Sequence, residues 1–524
     1  MKRASAKVGA SKGARGASRT TRPRASLPAR TVQARIKAEA SRMAHRIAAV
    51  KFDPAQSNSL NRRYWEMADG GSPIYSLAPD VRRRLRERCR YEAHNNPWAK
   101  GILTTVANDL VGTGPRLRCL TADQKANQAV EQCFQRWASA AGLAPKLRTM
   151  RFARGSDGEC FAVKNTNKAL AHPVKLDIRL YEADQFETPD LFGYESPERV
   201  SGIEYDAAGN PVRYNMLDAH PGERSGSSTL LNNYRAVPAS QVIHYFRAER
   251  PGQLRGVPDL TPALILFAAM RRYTAATVGA AEYQAARSGY IYTKNTPDAE
   301  SADETGMMPF DTVEFNHNEL TALPDGWEAT FAPASQPVTT YGDFQYACIR
   351  EACRAMNVPV SVAIGDSSKA NYSSGRLDHQ VYLKQIGIEQ TEMVHGVIDP
   401  LFADWWSEAI LVSELWGTGP GQMPLALRAM KSPPPRKWMF DGRGHVDPMK
   451  EAEAAGTRIR NRMSTLADEC AKEGRDWMEV VLQQGAERAL CEAQGVTYPG
   501  DEPPAPAPNA ANAQPDPAVE ESVS

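Results

Sequence analysis

The sequence predicts an α+β fold flanked by disordered ends. Short runs of β-branched, aromatic and alternating residues, separated by turn residues, lie between residues 160 and 246. Longer segments whose apolar residues recur every three or four positions lie on either side of this region and indicate helices. Residues 1–33 and 496–524 are low-complexity segments that lack the apolar residues needed for a core. A chain of 524 residues is long enough for about two to four domains.

The charge is distributed unevenly along the chain. Residues 1–50 contain thirteen Lys and Arg residues and one acid, Glu39, so this arm carries a net charge of +12. The remainder has 50 basic and 60 acidic residues, a net charge of −10. A basic arm on an acidic body indicates an arm that contacts a polyanion and a body that does not hold one tightly. The Arg- and Ser-rich, acid-poor arm is also typical of an organelle transit peptide, which stays open as an alternative.

The cysteines and the apolar runs limit the class of protein. The eight cysteines show no CxxC spacing, and we expect reduced, buried thiols in a cytosolic protein. The longest apolar run, 260–270, ends at two arginines and is much shorter than a membrane-spanning helix. No secretory h-region is present at the N-terminus. We therefore expect no membrane association.

The region before the strands is expected to be helical. Pro79 opens a strongly charged helix, which Pro97 ends. Residues 98–110 place apolar side chains on one face, and two glycines follow them. A further helix is predicted over 121–140, with Asp123 as an early cap.

The middle of the chain is expected to form a mixed domain of short strands. The alternating runs predict strands at 160–163, 175–181, 200–205, 212–216 and 242–246. Residues 206–211 are typical of a hairpin turn, whereas 218–236 are expected to be an insertion or a long loop.

After residue 256 the pattern changes to long helices around a small β module. An alanine-rich helix is predicted over 260–287, and its small side chains suit close packing in a bundle or ring. The remaining expected elements are strands at 290–293, 311–315 and 327–331, helices at 341–356 and 375–411 with a polar loop at 365–374 between them, and helices at 450–461 and 476–494.

The chemical motifs argue against an enzyme. No GxxxxGK[ST] phosphate loop, HExxH or paired Cys/His spacing is present, so we expect no ATP-driven motor, metal or cofactor. Ser367, Ser368 and Lys369 could form a Ser–Lys nucleophile, but no strand–turn–helix elbow surrounds them, and a polar loop is favoured. The spacing of Asp378 and Glu389 does not indicate a catalytic pair of carboxylates, and both are expected on solvated helix faces.

A dense group of arginines on the charged helix has two interpretations. These side chains could bind phosphate, or they could form a solvated or ion-paired face with neighbouring acids. The group consists of Arg82, Arg83, Arg84, Arg86, Arg88 and Arg90. The N-terminal arm is the better candidate for contact with a polyanion, although it lacks the aromatic residues that stack on bases.

Several short motifs together resemble the lambda-type family of phage portal proteins. Their order and spacing over roughly residues 60–495 carry the resemblance, since no single motif is specific. They are Asn95-Asn-Pro-Trp-Ala-Lys-Gly-Ile102 with Val111-Gly-Thr-Gly114, Glu182-Ala-Asp-Gln185, Val242-Ile-His-Tyr-Phe246, Arg250-Pro-Gly-Gln253, Arg255-Gly-Val-Pro258, Tyr341-Gly-Asp-Phe344, Met356-Asn-Val-Pro359, Asn371-Tyr-Ser-Ser374 with Arg376, and Val446-Asp-Pro448 with Lys450-Glu451.

The resemblance implies a ring subunit with wing, stem, clip and crown regions. Such subunits form a closed ring, a dodecamer in the capsid, at one five-fold vertex. The implied regions are a basic arm (1–50), an α+β wing (51–256), a stem helix (257–287), a clip (288–340), a second stem helix (341–356), a tunnel loop (357–374), a long helix behind that loop (375–411), C-terminal wing or crown helices (412–495) and an acidic tail (496–524).

The resemblance also implies that the tunnel loop faces double-stranded DNA as it is packaged and ejected. A conduit needs weak, non-specific contacts, because tight phosphate binding would resist sliding. Lys369, Asn371 and Arg376 are the first candidates, and Ser367, Ser368, Tyr372 and Ser373 complete the loop. The alternative for these residues is a solvated loop or a helix start capped by Ser373 or Ser374.

The implied partners are other virion components. They are further copies of the chain, double-stranded DNA, the large terminase subunit, head-completion or adaptor proteins, and the major capsid and scaffold proteins. The expected location is the portal vertex of the virion, after assembly in the host cytoplasm.

Overall fold

A computed structural model describes most of the chain between residues 71 and 498. The described residues are 71–187, 199–223, 234–286, 290–293, 327–330, 340–366, 368, 371–419, 421–442 and 448–498, together with seven isolated positions between 37 and 70. The chain divides into two units, residues 1–70 and 71–524, and the account below concerns the second. Nearly all of the basic arm, the acidic tail beyond residue 498 and the predicted strand at 311–315 lie outside the described residues.

Two helices precede the first strand along the chain, and two follow it. They are α1 (Pro79–Asn95), α2 (Pro97–Val111), α3 (Gln124–Ala140) and α4 (Leu143–Asp157). Asn96 caps α2, since its side-chain oxygen accepts from the backbone N–H of Trp98 at 3.0 Å. Asp123 caps α3 as predicted. Helix α4, which the sequence pattern did not predict, begins and ends at left-handed glycines.

The strands form small antiparallel sheets. They are β1 (Arg116–Cys119), β2 (Glu159–Thr166), β3 (Leu176–Tyr181), β4 (Arg199–Val200), β5 (Ile203–Tyr205), β6 (Pro211–Leu217), β7 (Tyr234–Pro238), β8 (Val242–Phe246), β9 (Tyr290–Thr293), β10 (Trp327–Thr330) and β11 (Arg436–Met439). The sheet orders are β3-β2-β8, β4-β5-β6-β7, β1-β11 and β9-β10.

Four of the five predicted strands of the middle region are confirmed, whereas the strand expected at 200–205 is divided by a turn at Ser201 and Gly202 into β4 and β5, which pair with each other. One further correction lies beside them. Strand β7 occupies the end of the segment 218–236, which was expected to be a loop or an insertion. This segment forms a strand because it pairs with β6, which provides hydrogen-bond partners for its backbone N–H and C=O groups. The sequence of a polar segment does not reveal such a partner. The β1–β11 pair, more than 300 residues apart in sequence, was not predicted either.

Long helices follow the strands. They are α5 (Leu264–Ala286), α6 (Tyr341–Ala355), α7 (Val360–Ile364), α8 (Tyr372–Met393) and α9 (Asp399–Leu411). The predicted helices at 260–287, 341–356 and 375–411 are confirmed, while α7 lies in a segment expected to be loop. A π-helical turn, Val394–Ile398, joins α8 to α9. Pro400 explains that turn, because a proline removes a backbone donor and its ring displaces the carbonyl one turn earlier.

Three helices complete the described chain. They are α10 (Pro448–Arg460), α11 (Leu466–Lys472) and α12 (Trp477–Gln494). Helices α10 and α12 match the predictions at 450–461 and 476–494, and α11 lies between them where no helix was predicted. One-turn helices occur at Pro73–Ser76 and Leu425–Arg428. Each helix in the described ranges is too short or too polar to cross a bilayer.

Two groups of aromatic side chains mark the cores. In the larger core, the Phe134 ring lies 5.2 Å from Trp405 and 5.3 Å from Trp137, which ties α3 to α9. In the smaller core, Phe161 of β2 stacks on Phe186 at 4.1 Å. All eight cysteines are free thiols; five are buried, and Cys348, Cys470 and Cys491 are partly exposed.

The path into α5 depends on a close approach of two glycines. A Cβ on Gly256 would overlap the carbonyl of Gly158, so the chain fits here only without a side chain. The Gly256 N–H also donates to Glu159 Oε2 at 3.0 Å.

We predict that Gly256→Ala destabilises the fold by about 3 kcal/mol, as expected for a side chain forced into a packed interior. Gly101→Ala is the matched control. A Cβ at Gly101 meets nothing in the described structure, so alanine should stabilise α2 by about 0.5–1 kcal/mol. Thermal unfolding of both variants measures the difference. Equal melting temperatures would contradict the described contact.

Candidate channel segment and the buried charges that hold it

The segment between α6 and α8 is shaped by residues that tolerate unusual backbone angles. Asn357 follows α6 with φ +53°, in the left-handed region that asparagine enters more readily than most residues. Pro359 then starts the short helix α7, and Gly365 ends it with φ +71°. Partly buried Val360, Val362, Ala363 and Ile364 pack on the main core. The entrance to the polar loop is therefore held by its own packed turn.

Two side chains close the loop and start the next helix. Asp366 accepts from the backbone N–H and the hydroxyl of Ser368, at 2.8 and 3.0 Å. Asn371 caps α8, since its side-chain oxygen accepts from the Ser374 N–H at 2.8 Å. The alternative interpretation, a capped helix start, named Ser373 or Ser374 as the cap; the cap is Asn371 instead, and α8 begins at Tyr372 and not at 375.

The structure describes only some of the predicted channel residues. Ser367 and Lys369 lie outside the described residues. Asn371 is exposed immediately before α8, and the backbones of Tyr372 and Ser373 form its first turn. The Arg376 Nη2 atom lies 3.6 Å from Glu451 Oε2 of α10. The described part of this set is thus gathered at one helix N-terminus.

Hydrogen bonds to α2 and to the end of α6 position α8. The Tyr382 hydroxyl donates to Asp109 Oδ2 at 2.7 Å. Further along α8, Gln390 donates to the Leu110 carbonyl at 3.1 Å. Gln385 donates to the Met356 carbonyl at 3.4 Å. These bonds fix the face of α8 that turns towards the core.

Glu389 is a fully buried carboxylate on this same face. Its Oε2 atom accepts from Arg151 Nε at 2.8 Å and lies 3.1 Å from Arg154 Nη2. Arg151 Nη1 also lies 3.0 Å from Asp259 Oδ2, in the segment that leads into α5. The expectation that Glu389 lies on a solvated face is wrong, because the pairing partners are contributed by α4, a helix that was not predicted. Asp378 is exposed, as expected.

The arginines determine the charge state of Glu389. Burial alone would raise the pKa of its carboxyl, but the charges of Arg151 and Arg154 outweigh burial and hold that pKa below its usual value. For Arg154, burial alone would lower the pKa of the guanidinium, but nearby oxygens, including those of Glu389, outweigh burial and hold that pKa above its usual value. Both partners are therefore charged at neutral pH.

A second buried carboxylate, Glu159, anchors the segment before α5. Arg255 donates to it through Nη2 at 2.6 Å and Nε at 2.9 Å, and His244 Nε2 lies 2.9 Å away. Arg255 also donates to the Phe186 carbonyl at 2.9 Å. Burial raises the pKa of Glu159, but Arg255 and then His244 hold it well below its usual value. The Arg255-Gly-Val-Pro258 motif thus has a structural role.

The arginine-rich helix α1 is largely ion-paired inside the protein. Arg86 contacts Asp184 at 3.0 Å, and Arg90 contacts Asp157 and Asp184 at 2.8 and 2.7 Å. Arg82 is buried 3.8 Å from Glu159. Burial, reinforced by the charge of Arg255, lowers its pKa to about 9. Of the two interpretations of this cluster, the ion-paired face is the one the structure shows, although Arg84 and Arg88 remain exposed.

One group of side chains has the composition of a metal site. Glu182, Asp184 and His220 bring ligand atoms within 4.8 Å of one another. However, Arg90 lies 2.9 Å from Glu182 and 2.7 Å from Asp184, so a guanidinium already contacts both carboxylates. His220 Nδ1 accepts from the Gly222 N–H at 3.0 Å, which places the ring proton on Nε2, the atom that faces Glu182. This arrangement fits a charge network and not a metal centre.

Three residues that hold the segment in place, Arg151, Arg154 and Glu159, were not predicted from the sequence. Arg151 and Arg154 lie three residues apart on one face of α4, beside the buried apolar Leu147 and Met150. That spacing, between Gly142 and Gly158, is the signal that could have indicated a helix. No local pattern predicts their partner, because Glu389 is more than 230 residues away.

We predict that Glu389→Gln destabilises the protein by about 3–5 kcal/mol at neutral pH, since it removes the fully buried counter-charge that Arg151 and Arg154 share and leaves them only the less buried Asp259 and Glu392. The pKa of Glu389 is held below its ordinary value of 4.5. Its ionic contribution is therefore complete above that pH and is lost as the pH falls through the lowered pKa. The gap in stability between wild type and variant should narrow in acid.

Denaturant unfolding from pH 7 to pH 3 checks this expectation, with Asp378→Asn as the control on an exposed face of the same helix. The control should change stability by no more than about 0.5 kcal/mol. A gap between wild type and Glu389→Gln that does not change with pH would contradict the ionic role.

Comparison with known proteins shows similarity to viral portals. A family model described as "Phage portal protein, lambda family" matches residues 62–390. The "Probable portal protein" of Halomonas phage phiHAP-1 is 24% identical over 461 residues, which cover 82% of this chain and 85% of that protein. "Portal protein B" of Escherichia phage lambda is 20% identical over 367 residues, which cover 66% of this chain and 68% of that protein.

This chain also matches solved structures, at lower sequence identity. A chain from the neck of a native gene transfer agent particle, computed with C12 symmetry, is 14% identical with a TM-score of 0.45, and the match covers 80% of this chain and 99% of that one. The family model alone spans well over half of the sequence. This chain therefore belongs to the lambda family of phage portal proteins.

Proposed function

We propose that copies of this chain close into a ring, a dodecamer in the capsid, that forms the channel for packaging and ejection of double-stranded DNA at one vertex. The observation that carries the proposal is the family match over residues 62–390. A ring requires a surface on each subunit that binds a different surface on the next. The long helices α5 and α8, each with an exposed side, are available for such contacts.

The charge distribution supports a channel that binds DNA only weakly. Outside the arm the sequence carries a net charge of −10. Several of its most concentrated arginines, among them Arg82, Arg86 and Arg90, are engaged by carboxylates within the same subunit. These cations are therefore not available to bind phosphates, and a DNA duplex could slide past with little resistance.

We infer that the polar segment 365–374 and the first turn of α8 face the DNA. The proposed contacts are Ser367, Ser368, Lys369, Asn371, Tyr372, Ser373 and Arg376. Support comes from the two fixed ends of the segment: α7 packs on the core before it, and the Asn371 cap begins an anchored helix after it. A polar loop between two fixed points can touch a moving duplex without being carried along.

We propose that the wing, stem, clip and crown regions follow the order along the chain that is expected of such a subunit. We propose residues 51–256 as wing, α5 and α6 as stem, and 288–340, which includes the β9–β10 pair, as clip. Residues 412–495 would form the C-terminal wing or crown. The large terminase subunit would dock on the clip, and head-completion or adaptor proteins would replace it. The basic arm would contact scaffold, capsid protein or packaged DNA.

The proposed role is structural and not enzymatic. A Ser–Lys hydrolase centred on Ser367 is the competing function. The hydroxyl of the neighbouring Ser368 donates to Asp366 at 3.0 Å within a local turn, which is typical of a loop-closing contact. Because the segment serves as a turn, we propose that it carries no nucleophile, and that the subunit acts at the portal vertex of the virion after assembly in the host cytoplasm.

We predict that the purified protein forms closed rings of about twelve subunits with an open central channel, as a cyclic assembly requires. Negative-stain microscopy combined with native mass spectrometry tests this. Deletion of residues 1–33 should leave the rings intact, since that arm lies outside the family match. A stable monomer or dimer at high concentration, or hydrolytic activity that Ser367→Ala abolishes, would reject the proposal.

We further predict that adding negative charge to the segment slows DNA packaging by assembled proheads. Asn371→Asp keeps a side-chain oxygen for the helix cap, because asparagine and aspartate cap equally well. It therefore changes charge with little change in structure. Lys369→Glu should act in the same direction, and both effects should weaken at high salt.

Gln241→Glu is the control, an exposed position in the β7–β8 connection that gains the same charge. All three variants should assemble into rings. Packaging rates that do not differ between the two segment variants and the control would show that the segment does not face DNA.

A further inference from the structure

Helix α8 has an apolar stripe on its exposed side. Leu377, Val381 and Ile388 are 64%, 68% and 50% exposed. With the exposed Lys384 and Thr391 they recur at alternating spacings of four and three residues. We call these five residues the α8 stripe. Tyr382, Ile386 and Met393 on another face of the helix are buried, so the stripe is separate from the face that packs on the subunit's own core.

The stripe has the spacing of a helix–helix contact. A four–three repeat places side chains along one line, where they can insert between the side chains of a second helix. β-Branched residues such as Val381 and Ile388 are common in such contacts. A line of large apolar side chains left in water is unfavourable, and it typically indicates a surface that another protein covers.

Helix α5 carries a stripe with the same spacing, in which three of the five side chains, Ala269, Ala276 and Gly279, are small. It consists of Ile265, Ala269, Arg272, Ala276 and Gly279, all exposed. We call these residues the α5 stripe. In the first two turns of the helix, the opposite side is buried through Phe267 and Met270.

Gly279 gives the α5 stripe a second distinguishing feature. Glycine inside a helix costs about 0.5–1 kcal/mol relative to alanine. A Cβ at this position would meet nothing within 4 Å in the described structure. The packing of the described subunit therefore does not require a glycine here, whereas close approach of another helix would.

We propose that the α8 stripe of one subunit packs against the α5 stripe of its neighbour in the ring. This inference rests on the ring proposed above and names the two surfaces that meet. Each stripe spans fifteen residues, about 21 Å of helix. The small positions Ala269, Ala276 and Gly279 leave space into which the large apolar side chains of the α8 stripe can pack, as close packing needs. Because the two stripes belong to different helices, the contact is heterologous and can be repeated around a ring.

A second copy of the chain is the occupant that these observations favour. Pairing of the α8 stripe with itself would bring two lines of large side chains together and leave the α5 stripe exposed. Such two-fold pairing also stops at a dimer. Contact between the two different stripes covers both and leaves each subunit with one free stripe of each kind until the ring closes.

Cysteine cross-linking of the assembled full-length protein tests the contact. The double variant Val381→Cys with Ala276→Cys, treated with a short bismaleimide, should give a ladder of covalent multimers up to the size of the ring. Each single variant should give no ladder, because one cysteine cannot join two different stripes. The partly exposed Cys348, Cys470 and Cys491 define the background, which the wild-type protein measures under the same conditions.

Gln380→Cys combined with Ala276→Cys is the matched control, because Gln380 is exposed on α8 but lies off the stripe. This pair should cross-link far less than the stripe pair. Cross-linked dimers from Val381→Cys alone would show self-pairing of the α8 stripe and overturn the proposal. Rings of the double variant that are visible by microscopy and yield no ladder would also overturn it.

A bulk substitution supplies an independent measurement. Gly279→Leu should leave the thermal unfolding of the subunit close to that of wild type, because the site is open, yet abolish ring assembly. Ala275→Leu, at an exposed position beside the stripe, should still assemble. Normal rings from Gly279→Leu would reject the close approach. Absence of rings in the wild-type protein would instead reject the ring itself, so the two failures are distinguishable.

Discussion

The buried contact of Glu389 with Arg151 and Arg154 is the interaction on which the position of the channel segment depends. It joins the long helix α8 to α4, and Arg151 extends the contact to Asp259, before α5. Burying one charged partner without the other would be strongly unfavourable, so the three elements hold one another in a single arrangement. Helix α8, which begins at the polar loop, is thereby fixed at its far end, more than ten residues from that loop.

Glu159 has a similar anchoring role just before helix α5. Its contacts with Arg255 and with the Gly256 N–H fix the backbone just before α5, and the glycine pair leaves no space for another path. Both long helices that carry the exposed stripes therefore leave the core from charged anchors. Because these charges are paired internally, they set geometry and add little to the electrostatic field outside. The subunit can be rigid and still present a weakly binding surface to DNA.

Local patterns predicted most of the elements but not the contacts between them. Helices α2, α3 and α6 follow their apolar spacing, and α2 and α3 also begin at capping side chains; these signals lie within a few residues of one another. Helix α4 was missed because it buries arginines where an apolar face is expected, and that is stable only with Glu389, which is supplied from far along the sequence. Strand β7 was missed for a related reason, since its pairing with β6 decides its conformation. Of the candidate site, the polar loop was predictable, while the cap at Asn371 was assigned to neighbouring serines.

The motifs that carry the family resemblance act chiefly on the backbone. Asn96 caps α2 and donates to the Phe267 carbonyl of α5 at 3.3 Å, and Asn357 and Asn371 shape the two ends of the loop region. Gln253 accepts from the Glu249 N–H at 2.9 Å and donates to the Arg255 carbonyl at the same distance. None of these roles involves reading a base or catalysing a reaction. A portal that passes any sequence of DNA needs a constant shape more than constant contacts, and residues that cap helices and pair charges maintain that shape.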